Sequence, residues 1–357
     1  MSSVIKYKSD TRQTRNLVAR CLEAGLVPYV QSSPGMGKSA IMKNIAEQAN
    51  LKLIDVRLSA LAPEDIQGLP KFDAEGFPHF MPFTGMFPVK GTSLPSRLVD
   101  GVVTEYAGWL LFLDELPAAS PAVIKAAYRL ILDKQVGEHD LHEAVYIAAA
   151  GNLATDKALT GTIGTAMQSR VVHILMETNS QVWIEDVALP QKYDKRILAY
   201  ISQYGSKLHN FDPNHKEETF ACQRTWEFVN KLIKDVPDLS NPEMTTLLCG
   251  AIGPAIAVEF VQYTAVFNDV VKIEDILNDP LNTPLPVGRN LQWATVAAMT
   301  DAVDMKNFPQ MAEYASRFDL AMLVLFFRAA VIRIPNIRTV PAFMKVGVKV
   351  SQYLNQK

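Results

Sequence analysis

Five short, largely apolar runs punctuate the first half of the chain: Val27 to Gln31, Leu51 to Arg57, Trp109 to Leu113, Val145 to Ala149 and Arg170 to Leu175. A strand with one wet face alternates apolar and polar residues, so these runs predict strands covered on both sides, the pattern of a parallel sheet packed between helices. The segments between them agree, with Asp10 to Ala24 reading as an amphipathic helix and Ser39 to Ala49 as another. From Ile184 onward the period changes. Helical spacing dominates, broken by polar loops at Asn210 to Glu218 and Asp235 to Glu243, and a Pro- and Asn-rich stretch, Asn278 to Arg289, precedes a last helical block. The expected organisation is an α/β domain over residues 1–180, a helical domain over 181–277 and a helical extension over 278–357. The most apolar runs, Leu247 to Val258 and Ala321 to Val331, are too short to span a bilayer and read as buried helices, so no membrane insertion is expected.

Composition adds little to that outline and charge adds one local feature. With 48% apolar residues and 20% charged, the chain has ample core for an ordinary globular protein. A formal net charge of −2 steers it toward neither nucleic acid nor anionic membrane. The exception is the end of the chain. No acidic residue follows Asp319, whereas Arg328, Arg333, Arg338, Lys345, Lys349 and Lys357 do, which suits either a solvated helix face or an acidic partner such as nucleic acid. Cys21, Cys222 and Cys249 are too scattered for a disulfide framework or a zinc site, and no signal peptide opens the sequence; a reducing, cytoplasmic setting is expected.

Chemistry concentrates at the ends of the predicted strands. SSPGMGKS, Ser32 to Ser39, lies between the first apolar run and a helix. In such a loop Gly35 and Gly37 turn backbone N–H groups inward, Lys38 reaches the β- and γ-phosphates, and Ser39 offers a hydroxyl to Mg2+ at a helix N-terminus. The cradle comprises Ser33, Pro34, Gly35, Met36, Gly37, Lys38, Ser39 and Ala40. Ser32 stands where the strict phosphate-loop pattern has Gly. LLFLDE, Leu110 to Glu115, is an apolar strand ending in two acids, and ligands bind at the carboxyl ends of parallel strands. Asp114 there suits Mg2+, and Glu115 suits a base for the water that attacks the γ-phosphate. The fourth run ends in Gly151-Asn152, whose amide would orient that water; Asn after Gly is otherwise a turn residue. Glu138, His139, Asp140, His142 and Glu143 crowd acids and imidazoles, yet with no Cys and at a helix-to-strand turn they make a poor metal site.

The order SSPGMGKS, LLFLDE, AAAGN and MQSRVVHI resembles an AAA+ ATPase, over roughly residues 12 to 235. Within that class Asp65-Ile66-Gln67-Gly68, Phe80 to Gly85 and Asp114 to Ala119 are similar to segments of the MoxR branch. The resemblance implies a five-stranded parallel sheet with helices on both faces, an all-α lid and a C-terminal helical block. It implies ATP as substrate with Mg2+, a homo-oligomeric and hexameric ring, and a protein client, for the branch commonly one with a von Willebrand factor A domain. By position, Arg170 stands where the family places an arginine reaching into the neighbouring subunit's site, and Arg224 where a lid arginine senses the γ-phosphate, although Gln223 replaces the family's usual Pro. The segment Gly68 to Val89, rich in Gly, Pro and Phe and without strand or helix periodicity, is either a pore- or partner-facing insertion or a loop packed on its own aromatics, among them Phe72, Phe77, Phe80, Phe83 and Phe87. A nucleic-acid motor or loader is the alternative function that the basic tail leaves open.

Overall fold

The apolar runs are neighbouring strands of one sheet. The computed structural model describes residues 7–156, 163–334 and 336–354. Two compact units result, one formed by residues up to Glu177 with Asp212–Asn214, the other by Thr178–Phe211 and the chain from His215 onward. In chain order the first unit carries β1 (Lys8–Ser9), α1 (Thr11–Glu23), β2 (Pro28–Ser32), α2 (Lys38–Gln48), β3 (Leu51–Arg57), α3 (Pro63–Gln67), β4 (Leu69–Phe72), β5 (Pro78–Met81), β6 (Ser96–Val99) and β7 (Val102–Glu105). It continues through β8 (Gly108–Asp114), α4 (Pro121–Asp133), β9 (Gln135–Val136), β10 (His139–Asp140), β11 (Val145–Asn152), α5 (Thr165–Gln168) and β12 (Val172–Met176).

The central sheet runs β1-β12-β2-β11-β8-β3, parallel throughout. It has six strands rather than the five expected, because Lys8 and Ser9 pair with Leu175 and Met176 along the β12 edge. Two residues leave no periodicity to read. The continuous apolar character of β8 follows from burial on both faces: Leu111 and Leu113 join Tyr29, Val56 and Leu130 in one core cluster, while Leu110 and Phe112 join Val18, Met42 and Ile45 in the other. Burying each such side chain contributes on the order of 1.5–3 kcal/mol. The fifth run starts later than predicted, since Ser169 and Arg170 close a turn after α5, with Arg170 N–H donating to the Met167 carbonyl.

The segment Gly68 to Val89 corrects the expectation of a loop without strands. Leu69–Phe72 and Pro78–Met81 form an antiparallel hairpin, wet on both faces, which erases the alternation that marks a half-buried strand. Phe72, Phe77, Phe80 and Phe83 are exposed, whereas Phe87 is fully buried in the core beneath β8 and so departs from the exposed set. Gly68, at φ +93°, fixes the hairpin's root: a Cβ there would sit 2.4 Å from the Met81 carbonyl oxygen. Backbone cannot yield as a side chain does, so Gly68→Ala is expected to cost roughly 2 kcal/mol or more, read as a lowered melting temperature. An unchanged melting temperature would show that the hairpin relaxes without cost.

The second unit is helical: α6 (Ser180–Trp183), then α7 (Lys195–Gln203), α8 (Gln223–Leu232), α9 (Pro242–Ile252), α10 (Pro254–Thr264), α11 (Ile273–Asn278), α12 (Arg289–Ala302), α13 (Phe308–Ala315), α14 (Leu320–Arg333), α15 (Pro341–Gly347) and α16 (Ser351–Leu354). One apolar core runs through it from Trp183 to Val350. The run Leu247 to Val258 is two helices, α9 and α10, broken at Gly253 with φ +84°; Ala321 to Val331 lies within α14. Among the described residues no helix is long and apolar enough to cross a membrane. All three cysteines are free.

Candidate functional site

β2 ends at fully buried Ser32, and the chain turns into α2 through Gly35 (φ +75°) and Gly37 (φ +80°). Positive φ at both positions is inexpensive only for glycine, and it points successive N–H groups at the mouth of α2, where the helix dipole favours an anion. Met36, between them, is buried with Met42 and Ile45 and pins the loop from below. Parallel pairing of β2 with β11 sets Asn152 opposite Ser32, and β3 with β8 sets Arg57 opposite Asp114, so the strand ends line one edge of the sheet.

The side chains meet there. Lys38 Nζ donates to Asn152 Oδ1 at 2.9 Å and to Ser32 Oγ at 3.1 Å. Ser39 Oγ donates to Asp114 Oδ2 at 3.3 Å, and the Glu115 N–H donates to Asp114 Oδ1 at 2.8 Å. A hydroxyl and a carboxylate in contact are hard oxygen donors of the kind Mg2+ takes while keeping most of its waters. Glu115 adopts φ +58°, a left-handed conformation that is costly for a non-glycine residue and that marks functional sites. Its carboxylate accepts a hydrogen bond from the Ser59 hydroxyl in the turn Leu58–Ala60 that follows β3. Ser59 was invisible to sequence reasoning; a lone serine after a strand carries no signal until the β3–β8 register brings it beside Glu115. Partial loss of hydration, then the charge of Asp114, raises the Asp55 carboxyl above its ordinary pKa, with Arg57 opposing and Glu115 adding to the rise.

Other picked residues lie further along the fold. Arg170 is exposed after α5, its Nη1 donating to Tyr128 Oη at 3.0 Å and to the Ala166 carbonyl at 2.8 Å, with the guanidinium over the Tyr128 ring. Arg224 is exposed in the first turn of α8, in the second unit. Trp226 in the same helix is core, its Nε1 donating to the Lys207 carbonyl. The crowded acids and imidazoles before β11 are engaged separately: Glu138 faces His79, His139 meets the Phe80 carbonyl, Asp140 accepts from Gln135, and His142 accepts from the Ala144 N–H and packs on Trp109. Among the described residues no group of three such side chains is placed to hold a metal ion. Of the terminal cations, Arg328 pairs with Glu185 and Arg333 with Asp301, while Arg338, Lys345 and Lys349 are exposed and Lys357 lies outside the described residues.

No family model and no curated protein matches the sequence. Among solved structures the chain is similar to a candidate ATPase from Cytophaga hutchinsonii, at 11% identity and a TM-score of 0.35 over 96% of this chain and 90% of that one. It is also similar to NtrX from Brucella abortus, at 10% and 0.33 over 96% and 69%, and to a lysine-to-arginine mutant of RuvB from Thermotoga maritima, at 15% and 0.36 over 85% and 87%. A glycine-rich loop joining β2 to α2 and an acidic pair closing β8 in the same parallel sheet, with a helical unit following in the chain, give this protein an α/β P-loop fold.

Proposed function

We propose that the chain is a Mg2+-dependent ATPase of MoxR type, working as a homo-oligomeric, hexameric ring that remodels or assembles a protein partner. The observation that carries the reading is the convergence of Lys38, Ser39, Asp114 and Asn152 at one sheet edge with Glu115 alongside. Lys38 and the loop from Ser33 to Ala40, through its backbone N–H groups other than that of Pro34, which has none, would hold the phosphates, and Ser39 with Asp114 would hold Mg2+, which neutralises charge on the phosphate oxygens when bound. Glu115 takes the proton of the attacking water, its carboxylate oriented by Ser59, and Asn152 positions that water. Arg170 acts on the neighbouring subunit's site and Arg224 reads the γ-phosphate from a lid formed by residues 181–277, with 278–357 as an extension of it.

A partner with a von Willebrand factor A domain is expected by resemblance alone; the four exposed phenylalanines of the β4–β5 hairpin and its flank support contact with some protein. The nucleic-acid alternative is weaker, since Arg328 and Arg333 are taken up by ion pairs within the helical unit. The test is phosphate release from ATP by the purified chain. Release should stop when EDTA removes Mg2+ and return when the ion is restored; a folded chain that releases no phosphate at any Mg2+ concentration overturns the reading.

A further inference from the structure

We infer that Ser32 is a positioning residue for Lys38: its hydroxyl anchors the ammonium at the phosphate site, a task that a strict phosphate loop, with glycine there, leaves to the backbone. The inference rests on the phosphate-binding reading above. Ser32 is the last residue of β2, fully buried, and pairs in register with Asn152 of β11. Residues paired across parallel strands send their side chains to the same face, so the hydroxyl and the amide stand side by side. Lys38 bridges them, Nζ donating to Ser32 Oγ at 3.1 Å and to Asn152 Oδ1 at 2.9 Å.

The Ser32 hydroxyl proton is already committed, since Oγ donates to the Ser33 carbonyl at 3.0 Å. A hydroxyl has one proton and two lone pairs, so this bond leaves only lone pairs for Lys38 and no donor for phosphate. Ser32 therefore acts through the lysine. A glycine would leave Nζ only the carbonyl of residue 32, which stands 3.4 Å away, a longer and weaker contact. The positive φ of the loop falls at Gly35 and Gly37, whereas Ser32 keeps strand conformation, so a side chain there costs no backbone strain. The two acceptors also differ in freedom. Asn152 is half-buried at the strand end, whereas Ser32 is enclosed and cannot follow the ammonium outward. Arriving phosphate oxygens can take the ammonium proton given to Asn152 while Ser32 keeps Lys38 aimed. A lysine held before binding has less rotamer freedom left to lose, which is the source of the gain in affinity.

The experiment uses the full chain with Ser32→Ala and Ser32→Gly and reads two quantities. The first needs no nucleotide: the rate at which Lys38 is acetylated by sulfo-N-hydroxysuccinimide acetate, followed by peptide mass spectrometry. Loss of an acceptor for its charged form frees the amine, so Lys38 should be acetylated about tenfold faster in both variants, with the other lysines unchanged. The second is equilibrium binding of a fluorescent ATP analogue, which should weaken about tenfold in both variants. Adding Ser32→Ala to Lys38→Ala should weaken it no further, because the hydroxyl acts only through the lysine. A chain that binds no nucleotide would overturn the ATPase reading, and the acetylation rate alone then decides on Ser32. Should Ser32→Ala fail to fold, Ser32→Gly carries both measurements. Unchanged acetylation of Lys38, unchanged or tighter ATP binding without the hydroxyl, or an equal further loss in the Lys38→Ala background overturns the proposal.

Discussion

Lys38→Ala should weaken ATP binding by one to two powers of ten, whereas Glu115→Gln should keep the affinity and lose about 10²–10⁴-fold in turnover. The two substitutions act on different quantities. Lys38 supplies a charge-assisted contact to bound phosphate, and its removal also strips the donor from Asn152 Oδ1 and Ser32 Oγ, leaving polar atoms at the sheet edge without their partner. Glu115 contacts no phosphate in the proposed scheme. Its glutamine analogue has the same shape and still accepts from the Ser59 hydroxyl, so the β8 terminus should stay as it is while the proton acceptor is gone. Equilibrium binding of a fluorescent ATP analogue, paired with single-turnover hydrolysis, separates the effects. Equal loss of ATP affinity in both variants would remove Glu115 from the role of base.

The parallel strands were legible because burial on both faces turns them into apolar runs, and the phosphate loop because its chemistry dictates residue types at fixed spacing. Leu51–Arg57 is a strand over the predicted residues, and β8 and β11 extend their predicted runs at one or both ends to reach Asp114 and Asn152. What escaped was structure with no dry face. β6 and β7 expose Leu98, Val102 and Val103, yet Asp100-Gly101 between them, both at positive φ, is the residue pair that two-residue hairpin turns favour and was readable in principle. Ser59 and Asp55 were illegible for another reason. Their importance comes from strand register, Arg57 opposite Asp114, and register is a property of two segments 57 residues apart rather than of either alone.

In the proposed ring the last charge at the site comes from a neighbouring subunit, and Arg170 is the residue to ask. Arg170→Ala should bind ATP with unchanged affinity and hydrolyse it about 10³–10⁵-fold more slowly, the range seen when a transition-state arginine is lost. Its present contacts do not compete with that role: a hydrogen bond to Tyr128 Oη, another to the Ala166 carbonyl, and a guanidinium 5.4 Å from the Tyr128 ring centroid, a contact worth about 0.5–1 kcal/mol at an exposed site. Movement toward a neighbour therefore costs little beside the several kcal/mol that charge stabilisation in the transition state supplies. Mixing distinguishes action across the boundary from action within the chain. In rings assembled from Arg170→Ala and Glu115→Gln subunits, some interfaces pair an intact Glu115 with a neighbour's intact Arg170, and those interfaces should hydrolyse ATP although neither parent does. Recovery should rise and fall with the mixing ratio, peaking where the two variants are equally abundant. Mixed rings shown by mass to contain both subunits, yet no more active than either parent, would place Arg170 in its own subunit's chemistry or in none.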